Sequence, residues 1–189
     1  YNTQSNSIQS IGFVNGQINK LFETSTGGIL IGTSIGMMEF VDNDIKPVEG
    51  QNTIEKPIVL DIYEDRENRI WIGTFGQGLI KYENQAISQI TASKHNSPTH
   101  ILNIMELGED LLISTQGGGL IAYEREYGEF IALNEKYNIT SNIIRKTLLS
   151  KNAMWVATEG DGLLKLSIYG ASTIPEPIAE QISGINGQS

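Results

Sequence analysis

Seven side chains of this sequence have the chemistry to recognise a small molecule: Ser34, Phe75, Gln77, His100, Gln116, Glu159 and Asp161. Phe75 offers a flat apolar ring for stacking on a sugar, and the amides of Gln77 and Gln116 suit hydroxyl groups. Glu159 and Asp161 flank Gly160 with hard carboxylate oxygens that would take a cation or a sugar. The plainer reading of each is a soluble turn residue. The only histidines, His95 and His100, share the polar linker 92–100 with no third ligand at metal spacing, so no metal or other cofactor is expected.

Other chemistries lack their parts. No serine or threonine has a nearby histidine base or sits in a nucleophile elbow, so a hydrolytic triad is unsupported. The glycine-rich turns are not followed by a lysine and a helix, as phosphate loops are. Asp42-Asn43-Asp44 is too short for a calcium loop and reads as a turn, and Asn138-Ile139-Thr140 is a formal glycosylation sequon. Cysteine is absent, which removes disulfides and thiolate chemistry. A net charge of −9 opposes nucleic-acid binding. No run approaches the ~20 apolar residues of a membrane span, and no charged-then-apolar leader opens the chain. Tyr1 in place of methionine reads as a processed chain or an excised piece, and the segment is expected to make no membrane contact.

The candidate residues hang on a repeated frame. Leu30-Ile31-Gly32-Thr33, Trp71-Ile72-Gly73-Thr74, Leu112-Ile113-Ser114-Thr115 and Trp155-Val156-Ala157-Thr158 place their threonines 41, 41 and 43 residues apart. Before each lies an apolar strand and a polar hairpin, as in Val59–Glu64 followed by Asp65-Arg66-Glu67-Asn68. After each comes a glycine turn such as Phe75-Gly76-Gln77-Gly78, one residue shorter in the first copy, then a third strand such as Leu79–Tyr82. A weaker fourth strand carries apolar pairs: Ile45 and Val48, Ile87 and Ile90, Phe130 and Leu133. Four short strands at this period, without helical periodicity, predict an all-β fold: four blades of a β-propeller, each of four antiparallel strands.

The second strand of each copy is almost continuously apolar, which predicts cover on both faces by neighbouring blades. Trp71 and Trp155 are expected to fill inter-blade space, each indole N–H seeking a partner. Blades are expected at about 18–50, 58–92, 101–134 and 143–183, with residues 1–11 as the outer strand of a preceding blade. Ile11–Ile18 and Ile182–Ser189 resemble each other, so the repeats are read as cut in register from a longer ring.

The run Glu64-Asp65, Asn68-Arg69-Ile70-Trp71-Ile72-Gly73-Thr74, Gly76-Gln77-Gly78-Leu79 and Tyr82 resembles the two-component regulator propeller repeat. Gln116–Leu120 with Tyr123 matches it well. Blades one and four match less, with Met37 and Phe40 in one and Leu166 in the other departing from the pattern. The resemblance implies a piece of a seven-bladed propeller on the periplasmic or extracellular side of a bacterial membrane sensor. It places an immunoglobulin-like module, a membrane helix and a histidine kinase or other output domain further along the parent protein. It carries over no ligand residue, because every matched motif position is a packing position.

The expected function is a non-catalytic sensor module that binds a small molecule, an oligosaccharide by family analogy, on the face bearing the variable turns and linkers. The alternatives are a protein–protein scaffold, including a propeller closed by self-association, and a propeller lyase using His95 and His100.

Overall fold

The computed structural model describes residues 10–50, 56–91, 97–151, 153–167 and 179–181. The expectations for residues 1–9, His95 and the copy of the opening motif at 182–189 lie outside this set. Sixteen strands form four sheets among the described residues. Blade one comprises β1 (Ile18–Glu23), β2 (Ile29–Thr33), β3 (Gly36–Val41) and β4 (Asp44–Pro47). Blade two comprises β5 (Ile58–Glu64), β6 (Ile70–Phe75), β7 (Leu79–Glu83) and β8 (Ala86–Gln89). Blade three runs through β9 (Ile101–Leu107), β10 (Asp110–Thr115), β11 (Leu120–Glu124) and β12 (Glu129–Ala132). Blade four has β13 (Ile144–Ser150), β14 (Ala153–Thr158), β15 (Leu163–Ser167) and β16 (Ala179–Gln181). Each sheet is an antiparallel meander in sequence order, with the first strand at one edge and the fourth at the other.

Local chemistry sets the turns. Asp42-Asn43 and Asn84-Gln85 both hold positive φ at consecutive residues, the backbone that tight two-residue hairpins need. The recurring threonine closes the glycine turn after the second strand. Thr33, Thr74, Thr115 and Thr158 each donate the side-chain hydroxyl to the carbonyl of Gly36, Gly78, Gly119 and Gly162, at 2.7–2.8 Å. In every first strand the register shifts near the start, so Asn19, Leu60, Leu102 and Arg145 are bulged and the strand bends there.

Blades pack through alternating positions. On the first strands Val59, Ile62, Ile101, Ile104 and Ile144 face the preceding blade and are buried. The glycine of the repeat makes room for them: a Cβ on Gly73 would lie 2.7 Å from Ile101 Cγ2. Three apolar clusters result, one at each junction. Beside them runs a polar chain across all four blades. Lys20 Nζ lies 2.6 Å from Asp61 Oδ1. Asp61 Oδ2 accepts from Asn103 Nδ2 and the Ile104 N–H, each at 2.8 Å. Asn103 Oδ1 in turn accepts the Thr147 N–H at 3.1 Å.

The two end faces stay open among the described residues. Leu21 is 64% exposed where its counterpart Ile62 is 1% exposed. The two tryptophans therefore part ways. Trp71 is buried at the junction of blades two and three, and its indole donates to Asp65 Oδ2 at 2.7 Å. Trp155 lies on the trailing face of blade four, beside the exposed Leu148 and Leu163. The expected inter-blade seat for Trp155 needs a blade that the described residues do not include.

Candidate ligand cleft on the loop face

The turns after the second strands and the linkers between blades emerge on one face. Backbone hydrogen bonds tie each turn to the linker beside it. Gly76 and Gly78 N–H both donate to the Thr99 carbonyl, at 2.8 and 3.0 Å. Gly117 and Gly119 repeat the arrangement on Asn142, at 2.8 and 2.9 Å. Only glycine serves at position 78, where φ is +70° and a Cβ would lie 2.5 Å from the Pro98 carbonyl oxygen. These straps fix the distance between a turn and the next blade's first strand.

At the junction of blades two and three the straps border a cleft of about 490 Å³. One wall is the linker 97–99 with His100, and another is the turn 115–118. The floor is apolar, from Ile121 on β11 and from Phe130 and Ala132 on β12. His100 is held from three sides. Its Nδ1 is 2.8 Å from the Thr99 hydroxyl, its carbonyl accepts the Gln116 N–H at 3.0 Å, and its ring meets Phe75 edge-on with centroids 4.2 Å apart.

Of the seven sequence candidates, His100 and Gln116 line the cleft and the half-exposed Phe75 stands against His100. Gln77 is half-buried, with its N–H on the Thr74 hydroxyl at 3.1 Å and its carbonyl accepting Gln89 Nε2 at 2.8 Å. Ser34 belongs to blade one, where its hydroxyl accepts the Gln17 N–H at 3.0 Å. Glu159 pairs with Arg145, the bulged residue of β13. Asp161 caps the linker into blade four by accepting the N–H groups of Thr140 and Ser141, each at 2.7 Å, and the Thr140 hydroxyl. Those hydrogen bonds, led by the Thr140 hydroxyl, hold its carboxyl below the ordinary range against the effect of burial. The structure thus unites three of the seven and gives Glu159 and Asp161 partners within the chain.

The residues missed are Phe130 and Ala132. The sequence places Phe130 on an outer strand, but only the fold brings it to the same cleft as residues 97–100.

The hairpin end of the same junction is closed by charge. Asp65, its side chain fully buried, accepts from Trp71 Nε1, Arg69 Nε and Arg125 Nη1 at 2.7, 2.7 and 3.0 Å. Arg125 also reaches Glu106 Oε1 at 2.7 Å and the Glu109 carbonyl. Burial by itself raises the Asp65 carboxyl. The hydrogen bonds from Trp71, Arg69 and the backbone of Arg69 and Glu67 outweigh it and hold the group below the usual carboxylate range.

Four meander sheets joined side by side, with open end faces, define a partial β-propeller. Residues 54–76, the linker and first two strands of blade two, match the family described as two component regulator propeller. No curated protein matches the sequence. The fold is similar to the extracellular domain described as that of a hybrid two component system, BT3049, from B. thetaiotaomicron. That similarity has a TM-score of 0.68 at 18% identity and covers 89% of this chain and 26% of that one. The extracellular domain of a one component system from the same organism, BT4673, gives 0.68 at 16%, covering 85% and 22%. The computationally designed Ika4 protein gives 0.62 at 10%, covering 88% of this chain and all of that one. The chain therefore spans about a quarter of the length of the two extracellular domains.

Proposed function

We propose that the chain is four blades of a larger ring in the extracytoplasmic sensor region of a bacterial two-component signalling protein. In this reading it performs no catalysis. The loop-face cleft binds an uncharged, hydroxyl-rich ligand, an oligosaccharide being the favoured class. The observation that carries the ligand chemistry is the composition of the cleft wall. Among the described residues its lining contains no lysine, arginine, aspartate or glutamate, in a chain of net charge −9. A volume near 490 Å³ sits within the roughly 300–1,000 Å³ of ordinary ligand sites. Imidazole, amide and hydroxyl groups stand over an apolar floor, which suits a sugar's polar rim and apolar face. Support for the sensor role comes from the matching repeat and from the extracellular domains that share the fold.

The site lies where two blades meet, because the linker 97–100 leads from blade two into β9. A ligand that prefers one blade packing over another shifts the protein's conformational balance by that preference. Calorimetric titration with neutral oligosaccharides tests the reading. At least one is expected to bind, with His100→Ala and Gln116→Ala each weakening it and Ser34→Ala leaving it unchanged. Binding of charged glycans alone, or of none, overturns the ligand assignment.

A further inference from the structure

The three junctions inside this molecule show what a trailing blade face expects. On the first strand, the residue just after the bulge, here called position three, points toward the next blade and meets its counterpart or that residue's neighbour. Lys20 meets the carboxylate of Asp61, Asp61 meets the amide of Asn103, and Asn103 meets Thr147. Position three of blade four is Lys146. It is exposed, lies on the trailing face with Leu148, Trp155, Ala157 and Leu163, and makes no ion pair among the described residues. Trp155 stands in the register of Trp71, which blade three covers. The trailing face is thus equipped like an internal junction and carries an ammonium where blade one also carries one.

Resting on the reading of the chain as four blades of a larger ring, we infer that this face seats a further blade of the same protein. The first strand of that blade bears an aspartate or glutamate at the position Asp61 holds in blade two, paired with Lys146. A carboxylate there reproduces the contact that Lys20 makes. A second copy of this chain is the poorer occupant, because its leading strand would bring Lys20 against Lys146. Two ammonium groups in a junction drained of water repel, and with Lys20 already holding Asp61, Lys146 would gain no acceptor to offset its loss of solvent. The charge at position three selects which blade follows.

The test appends a copy of residues 58–91 to the full chain, with leucine replacing the copy's Trp71 so that it adds no fluorophore. Trp71 of the parent chain is buried, so iodide quenching reports Trp155. The appended blade is expected to shield Trp155 when it keeps Asp61, and to lose much of that shielding as Asp61→Lys. The aspartate form should melt about 2–4 °C above the lysine form, as a difference near 1 kcal/mol gives in a chain this long. Lys146→Met should erase the difference between the two copies. Equal shielding by both copies overturns the carboxylate requirement alone. Shielding by neither overturns the larger-ring reading as well. Sedimentation of the unmodified chain as a dimer that shields Trp155 would assign the face to a second copy instead.

Discussion

The junction of blades two and three ends in two unlike ways. At the hairpin end, Asp65, Arg125 and Glu106 are buried and bonded to one another and to Trp71. At the loop end, the same two blades are tied by main-chain hydrogen bonds at Thr99, and a cleft remains open that no lysine, arginine, aspartate or glutamate lines among the described residues. Buried charges accept only one arrangement, since each unpaired member is costly. Backbone straps set a spacing while leaving the side chains free to face a ligand. One end of the junction holds geometry, and the other is the proposed ligand site.

Substitutions can break this division of labour. The largest loss is expected for Asp65→Ala, which leaves the Trp71 indole buried without its acceptor and takes one of its two carboxylates from the Arg125 guanidinium. Urea unfolding should show a loss of about 3 kcal/mol. An effect under about 0.5 kcal/mol, the size of an ordinary surface change, would deny the hairpin end its structural role.

Gly73→Val is next. Its side chain would run into Ile101 beside the Asp61–Asn103 contact, and overpacking of that kind costs about 1–3 kcal/mol. Gly27→Ala is the contrast, because nothing lies within 4 Å of its added Cβ and only the positive φ opposes it. Unfolding of both variants should rank Gly73→Val well below Gly27→Ala in stability.

Acid titration sharpens the comparison further. The Asp65 carboxyl is held below its ordinary range in the fold, so its stabilisation is present above the unfolded value of about 3.9. It is lost as the pH falls through the lower folded value. Thermal melts from pH 5 downward should therefore lose stability steeply in the parent chain and less steeply in Asp65→Asn. Parallel profiles would show that the carboxylate contributes nothing in that window.

The smallest stability effect belongs to the loop end. His100→Ala and Gln116→Ala should change unfolding free energy by no more than about 0.5–1 kcal/mol, since both side chains sit at the surface of the cleft. Any neutral sugar that binds the parent chain should nevertheless bind these variants more weakly in titration calorimetry. A large stability loss without an affinity change would return both residues to a purely structural role.

Much of the frame was legible in the sequence. The Trp/Leu-Ile-Gly-Thr runs marked the second strands because continuous apolar character requires cover on two faces, and Ile72 and Ile113 are indeed buried on the side of the preceding blade. Asp65 read as a hairpin residue of the repeat, and it caps its own turn through the Glu67 and Arg69 N–H groups. The site was less legible. Phe75, His100 and Gln116 come from three separate stretches of chain, and nothing local told them apart from Ser34, Glu159 and Asp161. Arg145, Thr140 and Ser141 occupy the two carboxylates, and those contacts depend on the path of the linker into blade four.

By itself the sequence determined the strand order, the turn chemistry and the repeat, because these follow from apolar spacing, glycine and threonine within some 40 residues of one another. Tertiary structure decided which residues share a wall. Asp61 meets Lys20 and Asn103, and Asp65 meets Arg125, only because blades stack first strand to first strand. It also decided that Trp71 is buried while Trp155, in the same register, is only half-buried among the described residues. Identical local patterns acquire different surroundings when, among the described residues, one face has a neighbouring blade and the other has none.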